Sequence, residues 1–307
     1  MKIIFIVFVI SAIGCRTLKT AQTDNVKSFA RSARILSAVP GRLYNEIADY
    51  RHNLKMIEVS TMHRSEKLVE QLNVIAGLHQ RFKANAAKIN SAAALIESYS
   101  QSLLALTDAA YEQDLASQSD ELSLQLNTAF ASYNTMFNKK LPLSVGQFIG
   151  GVVTKLGSVR LRSLQRKYLK SFVDTGALII NDVCDYYTGT LSATLKAELS
   201  SLDNQFTNVM THFYDDIYEY QQTKTVNPFD YLRLYNPLYL ELKDKLDNLH
   251  GLEEKMEIAM QKIKTAHQGL QGIVDTTPKG ELLIEIRDLY LATRDVKVAV
   301  EKSSKNK

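Results

Sequence analysis

The sequence predicts an all-α protein, folded as an elongated antiparallel helical bundle in which a long coiled-coil hairpin is followed by two shorter C-terminal helices. Two observations support this prediction. The 307 residues include only 13 glycines and 5 prolines, whereas an all-β chain of this length needs many turns built from those residues. Apolar residues also recur at spacings of three, four and seven along most of the chain, which is the pattern of helices that pack through a narrow seam.

The first half of the hairpin is predicted as one very long helix over residues 43–137. Apolar residues repeat every seven positions, interrupted only at Thr61, and a second, offset set follows. The first set is Ile47, Leu54, Leu68, Ile75, Phe82, Ile89, Ile96, Leu103 and Ala110, and the second is Leu115, Leu122, Ala129 and Met136. Such a helix would extend about 140 Å, with a kink where the two sets meet, at residues 108–114.

The second half is predicted as a returning helix after a turn near Pro142. Its clearest seam is Leu195, Leu199, Leu202, Phe206, Val209 and Phe213. Pro228 and Pro237 interrupt the pattern and residues 275–278 stop the next helix, because the residue before a proline is disfavoured in the α region. Two shorter helices are therefore expected after the hairpin. Their apolar faces are Leu242, Leu249, Met256, Ile263 and Leu270, and then Leu282, Ile286, Leu289, Val296 and Val300.

The N-terminus has the composition of an export signal. Lys2 precedes an apolar run over residues 3–10, which is too short to span a bilayer but fits the apolar region of a signal peptide. Residues 12–15, Ala-Ile-Gly-Cys, resemble the lipobox of bacterial lipoproteins, whose cysteine is acylated and becomes the first mature residue. The resemblance implies lipidation at Cys15 and export. An ordinary secretory cleavage site is the alternative.

The expected organisation is a signal peptide at residues 1–14, a lipidated linker with a short helix at 15–40, a single elongated helical domain at 41–303 and a frayed tail at 304–307. No acidic run follows Cys15, so the expected location is the bacterial cell envelope, lipid-anchored and facing the periplasm. If Cys15 is acylated, Cys184 is the only other cysteine. It is expected to be a buried, inert thiol without a disulfide.

The most unusual segment is the predicted turn of the hairpin, residues 141–159. It combines glycines with apolar side chains, whereas an exposed turn is normally polar. No acidic residue occurs between Glu121 and Asp174, and the same window holds a cluster of cations. The candidate residues for docking on an anionic membrane or an acidic protein are Phe148, Ile149, Val152, Val153, Lys155, Arg160, Arg162, Arg166, Lys167 and Lys170. Alternatively, the apolar residues fold back and plug the end of the bundle.

Tyrosine-rich sequence occupies residues 212–221 and 229–239. The helical period predicts that most of these aromatic side chains belong to the core. The predicted core face holds Phe213, Ile217 and Tyr220, and the predicted surface holds Tyr214 and Tyr218.

The sequence contains none of the common catalytic or metal-binding motifs, and its six histidines are dispersed. His212 and Asp216 are spaced by four residues, but a solvated acidic helix face explains that spacing better than a metal site does. A thin helical rod also has little room for a concave pocket. We therefore expect no enzymatic activity, no metal and no cofactor.

Two functional classes remain. The first is a structural or interaction protein, a tether or adaptor anchored at Cys15, whose tip at residues 141–170 contacts a partner or an opposite membrane. The second is a membrane-active protein organised like the α-helical pore-forming toxins, which place an apolar segment at the end of a long bundle. A lipid anchor retains a protein on its producer and favours the tether. Nucleic acid is not an expected partner of an exported chain with a net charge of +4, and oligomerisation is left open.

Overall fold

Helices of this chain pack side by side into an all-α bundle, which confirms the predicted fold class. The computed structural model describes residues 20–60, 65–107, 115–139, 162–222, 228–275 and 280–305, and these ranges contain no strand. The helices are α1 (Thr20–Ser37), α2 (Val39–Ser60), α3 (Ser65–Thr107), α4 (Leu115–Phe137), α5 (Arg162–Tyr186), α6 (Ser192–Gln222), α7 (Pro228–Asp275) and α8 (Gly280–Lys305). A π-helical turn, Tyr187–Leu191, joins α5 to α6.

Helices α1 and α2 follow one path that runs antiparallel to α3. The chain bends at Ala38, and Pro40 lies in the first turn of α2, where its missing N–H leaves no hydrogen bond unmade. Three pairs define the direction: Arg34 with Glu97 at 3.9 Å, Gly41 against the Asn90 side chain, and Asp49 with Lys83 at 2.8 Å. The residue numbers on α3 decrease as those on α1 and α2 increase, so the helices run in opposite directions.

The predicted single helix over residues 43–137 is therefore wrong, because the chain reverses between α2 and α3. The one interruption of the seven-residue pattern, Thr61, lies among residues 61–64, which fall outside the described ranges. The seven-residue pattern continues from α2 into α3 despite the reversal, because both helices bury the apolar face that the pattern defines. Ile47 and Leu54 before it, and Ile75 and Ile96 after it, are all in the core. The expected kink at residues 108–114 also falls outside the described residues.

Helices α5 and α6 continue into one another through the π-helical turn, and α7 runs antiparallel to both. Residues 162–222 rise roughly 90 Å along this path. Four contacts fix the pairing with α7: Gln271 to Asp174 at 3.4 Å, Lys264 to Asp185 at 2.6 Å, Ser192 to Glu253 at 2.7 Å and Tyr214 to Asn236 at 3.0 Å. The seam predicted for the returning helix is confirmed from Leu195 to Val209.

The prediction of two shorter C-terminal helices is wrong for the first of them. Helix α7 has 48 residues and is longer than any other helix that the structure describes, whereas α8 has 26. Pro237 lies inside α7 instead of ending it. Proline removes the hydrogen bond to the carbonyl four residues earlier, at Arg233. Both residues are exposed to solvent, so water can satisfy that carbonyl and the helix continues.

Four helices, α1, α3, α5 and α7, surround the main core, and their rings meet in one layer. Tyr99 stacks on Phe172 at 5.1 Å between ring centroids, and His267 packs against both Phe29, at 5.4 Å, and Tyr99, at 5.6 Å. All four side chains are buried. Helix α8 covers α1 and α7, and α4 covers α3. Helix α1, which was predicted as part of an N-terminal linker, therefore belongs to the bundle.

Two ends of the bundle can be distinguished. We call the first the Thr20 end: α1 starts there, nine residues before Phe29, and α7 finishes there, eight residues after His267. We call the opposite end the far end. Helices α2 and α6 run side by side toward it, since Arg51 pairs with Glu198 and, further along both helices, Lys55 and Gln205 line one cavity. The far end thus carries the α2–α3 and α6–α7 connections.

Candidate functional site

Most of the predicted docking residues lie outside the part of the chain that the structure describes. Outside it are Cys15, Phe148, Ile149, Val152, Val153, Lys155 and Arg160, and the side chains of Arg162 and Arg166 at the start of α5. Two of the candidates can be placed. Lys167 is exposed, and the Lys170 ammonium lies 3.0 Å from the Asp174 carboxylate. Lys170 therefore already has an acidic partner, which the acid-free window ending at Asp174 did not suggest.

The start of α5 lies at the Thr20 end of the bundle, not at its far end. Asp174 pairs with Gln271, four residues before the end of α7, and Lys167 lies two turns of α5 beyond Asp174 in the same direction. The heptad pattern predicted that this cationic segment lies at the distal tip of a hairpin. For the start of α5 that prediction is wrong, because the preceding helix is not the long rod that the pattern suggested, whereas residues 141–161 of the segment lie outside the described residues.

The chain leaves α4 beside the C-terminal end of α5. Asn138 adopts a positive φ of 48° and ends α4, with the Lys139 N–H donating to the Asn134 carbonyl at 3.0 Å, a common helix stop. The Lys139 ammonium and the Tyr133 hydroxyl then both bind the carboxylate of Asp182, at 2.9 and 2.6 Å. Asp182 lies roughly 30 Å along α5 from the first residue of that helix. Residues 140–161, which include the predicted turn near Pro142, lie outside the described residues and join two points that are about this far apart.

The far end carries a two-helix arm, which we define as residues 211–222 of α6 and 228–240 of α7. None of the arm's described side chains is fully buried. The two helices contact each other through Phe213 and Tyr235, with ring centroids 5.1 Å apart, and through the hydroxyl of Tyr214, which donates to Asn236 at 3.0 Å. Phe213 and Ile217, predicted to face the core, are only half-buried here, because among the described helices no third one covers them fully beyond residue 210.

The surface of the arm is both apolar and acidic. Leu234 is 65% exposed, Leu240 60% and Tyr218 49%, while Asp215 and Glu219 are exposed on the same helix as Tyr218. Exposed apolar side chains grouped in this way mark interaction surfaces, and tyrosine is enriched at protein interfaces. The surface assignment of Tyr218 is confirmed, whereas Tyr214 is half-buried against α7.

Buried titratable groups hold the bundle together and are not accessible for chemistry. The Tyr99 hydroxyl lies 2.7 Å from Nε2 of His267, deep in the four-helix layer, and burial lowers the pKa of His267 to about 3. Burial raises the pKa of the Cys184 thiol to about 12, so it stays protonated at neutral pH. Cys184 is buried as the sequence predicted.

Sequence reasoning missed a buried carboxyl beside the π-helical turn. Glu253 on α7 is only 2% exposed and accepts a hydrogen bond from the Ser192 hydroxyl at 2.7 Å. Burial raises its pKa, and the Ser192 hydrogen bond and the Lys196 ammonium act in the opposite direction. No signal in the sequence separates Glu253 from the neighbouring Glu254 and Glu257. Its burial depends on where α6 crosses α7.

Neither a membrane span nor a metal site is found in the described residues. None of the described helices has a stretch apolar enough to cross a bilayer. Within the same ranges, no three histidine, cysteine or acidic side chains are grouped in a way that could hold a metal ion. Comparison of the chain with protein-family models, curated proteins and solved structures gives no match.

Proposed function

We propose that this protein is a bacterial envelope lipoprotein, anchored through Cys15, that acts as an interaction protein, a tether or adaptor. The observation that supports it best is that α1 and α5 both begin at the same end of the bundle. Only four residues separate Cys15 from Thr20, so a lipid attached to Cys15 would lie at that end. The cationic and apolar segment that ends at Lys170 then meets the membrane that holds the lipid, not an opposite one.

A lipid on Cys15 and a basic segment at the same end of the bundle can together anchor the protein stably. A single acyl chain binds a membrane only reversibly, so stable attachment needs more chains or a basic patch beside the lipid. Each cation near an anionic surface adds about 1 kcal/mol. Lys167 is exposed and available for this role, and Phe148, Ile149, Val152 and Val153 are the residues proposed to insert shallowly.

The two-helix arm is the part of this adaptor that we propose to meet a partner. Helix α7 alone spans roughly 70 Å, and the arm lies at the end of α7 that is remote from Thr20. An anchored bundle can therefore present Tyr218 and Leu234 far from the lipid. Because these side chains are uncovered in the isolated chain, a partner can bury them without disturbing the core.

Fractionation of cells tests the anchor. Cys15→Ser should move the protein from the membrane fraction to the soluble fraction and abolish labelling by a fatty-acid probe. If the natural chain is unlabelled, or if its mature form begins after Cys15, the lipoprotein proposal is wrong.

Charge reversal at the start of α5 tests the contribution of the basic segment separately from that of the lipid. In the soluble Cys15→Ser protein, Arg166→Glu with Lys167→Glu should weaken binding to anionic vesicles and make the residual binding less sensitive to salt. The matched control is Arg81→Glu with Lys88→Glu, which reverses two exposed cations on α3. Equal effects of the two double variants would contradict specific docking by the start of α5.

Site-specific photocrosslinking tests the arm. A crosslinker at Tyr218 or Leu234 should give discrete adducts in intact cells, whereas a crosslinker at Leu124 on α4, which is equally exposed at 66%, should not. Identical adduct patterns at all three positions would argue against a partner surface on the arm.

A further inference from the structure

A groove between α1 and α8 concentrates positive charge in a concave site. It has a volume of about 620 Å³, which is in the range of small-molecule sites. Four cations line it, Lys27 and Arg31 from α1 and Arg294 and Lys297 from α8, against a single acid, Asp24. None of these residues was singled out by the sequence, because each helix contributes only two of the cations.

Ion pairing within the described residues does not account for Arg31 and Lys297. Lys27 and Arg31 are spaced by four residues and Arg294 and Lys297 by three, and like charges at these spacings repel each other on a helix. Arg31 and Lys297 are both exposed and have no carboxylate partner among the residues that the structure describes. Within the described ranges, Arg294 forms an ion pair only with its chain neighbour Asp295, at 3.8 Å, and this pair is exposed.

The other side chains of the groove suit a ligand that is anionic at one part and apolar at another. Ser28 contributes a hydroxyl group, whereas the Thr293 hydroxyl already donates its proton to the Leu289 carbonyl and is not a donor for the ligand. Tyr290 and Ile35 present exposed apolar surface along the same groove. Guanidinium and ammonium groups together match phosphate oxygens, arginine as a bidentate donor and lysine as a point charge.

We propose that this groove binds a phosphate-bearing ligand, either the headgroup of an anionic phospholipid or a soluble phosphate compound. The excess of cations over acids favours an anionic phosphate group over a neutral or zwitterionic ligand. The groove belongs entirely to α1 and α8, so this inference does not depend on acylation of Cys15 or on the arm.

Calorimetry on the full chain in neutral detergent tests the proposal with two probes. Pyrophosphate represents the soluble source and dihexanoyl phosphatidylglycerol the lipid source, with dihexanoyl phosphatidylcholine as the zwitterionic comparison. At least one anionic probe should bind saturably with a Kd of about 1 mM or lower at low salt. Binding of pyrophosphate alone identifies a soluble ligand, and binding of phosphatidylglycerol alone identifies a lipid.

Variants distinguish the groove from general surface charge. Arg31→Glu with Lys297→Glu should weaken binding of the preferred probe at least tenfold. Lys302→Glu with Lys88→Glu makes the same change of charge at exposed positions outside the groove and should alter Kd less than twofold. All four positions are exposed, and circular dichroism should show unchanged helix content. Absence of saturable binding by both anionic probes, or equal weakening by the two double variants, would overturn the proposal.

Discussion

The hydroxyl of Tyr99 lies 2.7 Å from Nε2 of His267, although the two residues are 168 positions apart in the chain. The contact joins α3 to α7 across the centre of the bundle, with Phe29 of α1 and Phe172 of α5 packed around it. A buried polar group without a partner costs roughly 1–3 kcal/mol. This pair therefore favours the one helix register in which both polar atoms are satisfied.

We predict that His267 makes the protein less stable in mild acid. Burial lowers its pKa from 6.5 to about 3, so below pH 6.5 the unfolded chain binds a proton that the folded protein excludes. Stability from this group is complete above pH 6.5 and is lost as the pH falls toward 3, by about 1.4 kcal/mol per pH unit. Urea unfolding between pH 7 and 4 measures how the free energy of unfolding changes with pH. For His267→Leu this pH dependence should be shallower than that of the natural protein by the same amount.

The Tyr99→Phe variant is the matched control for that experiment. It should lower the free energy of unfolding by roughly 1–3 kcal/mol at every pH, because Nε2 of His267 loses its partner. The imidazole remains buried, so the pH slope should stay as in the natural protein. An unchanged slope in His267→Leu would show that another group carries the acid sensitivity.

We predict opposite effects for alanine at two glycines. A Cβ atom on Gly176 would overlap the ring of Tyr99, which is held between Phe172 and His267, so Gly176→Ala should destabilise by roughly 1–3 kcal/mol. A Cβ on Gly251, inside α7, meets no atom within 4 Å, so Gly251→Ala should stabilise by roughly 0.5–1 kcal/mol. Thermal unfolding measures both. A neutral Gly176→Ala would mean that the Tyr99 ring can move.

Glu253 should reduce stability at neutral pH. Burial raises its pKa in the folded protein, so its favourable contribution is complete below the usual pKa of 4.5 and is lost as the pH rises through the folded value. Glu253→Gln keeps a hydrogen-bonding group beside Ser192 without the charge. We expect this variant to be more stable than the natural protein at pH 7, and the gain to shrink toward pH 4. A loss of stability at pH 7 would show that Lys196 compensates the carboxylate fully.

Hydrogen exchange should divide helix α7 into two parts. Residues 242–270 contribute a buried face to the bundle, whereas residues 228–240 belong to the arm, whose described side chains are not fully buried. The arm amides should exchange roughly tenfold or more faster, because local opening there exposes little apolar surface. Since both segments belong to one helix, each serves as the control for the other. Equal protection would indicate that the arm is covered, for example by a second copy.

Small-angle scattering should show an elongated particle. A globular chain of about 290 residues has a radius of gyration near 19 Å, whereas a rod as long as α5 and α6 together gives about 26 Å from its length alone. The fragment from Arg16 onward should lie close to the larger value. A value near 19 Å would contradict the extended packing of these helices.

The buried faces of the helices could be predicted because they depend on local spacing. Leu242, Leu249, Met256, Ile263 and Leu270 were assigned to one face by their period, and all five are buried. A helix places residues seven apart on the same side whatever its neighbours are. The few glycines and prolines likewise limited the chain to long helices. The sequence by itself therefore determined the fold class and the apolar seams.

Direction and long-range pairing were decided only by the tertiary structure. The heptad pattern is the same whether α2 continues into α3 or reverses, because both arrangements bury Leu54 and Ile75. Pro237 was equally ambiguous as a signal for the end of a helix. A proline ends a helix only where water cannot replace the lost hydrogen bond. Packing of distant segments brought Tyr99 to His267, buried Glu253, and placed Lys167 at the Thr20 end. Periodicity reports the burial of each helix face, and only the packing free energy of the assembled helices selects which faces meet.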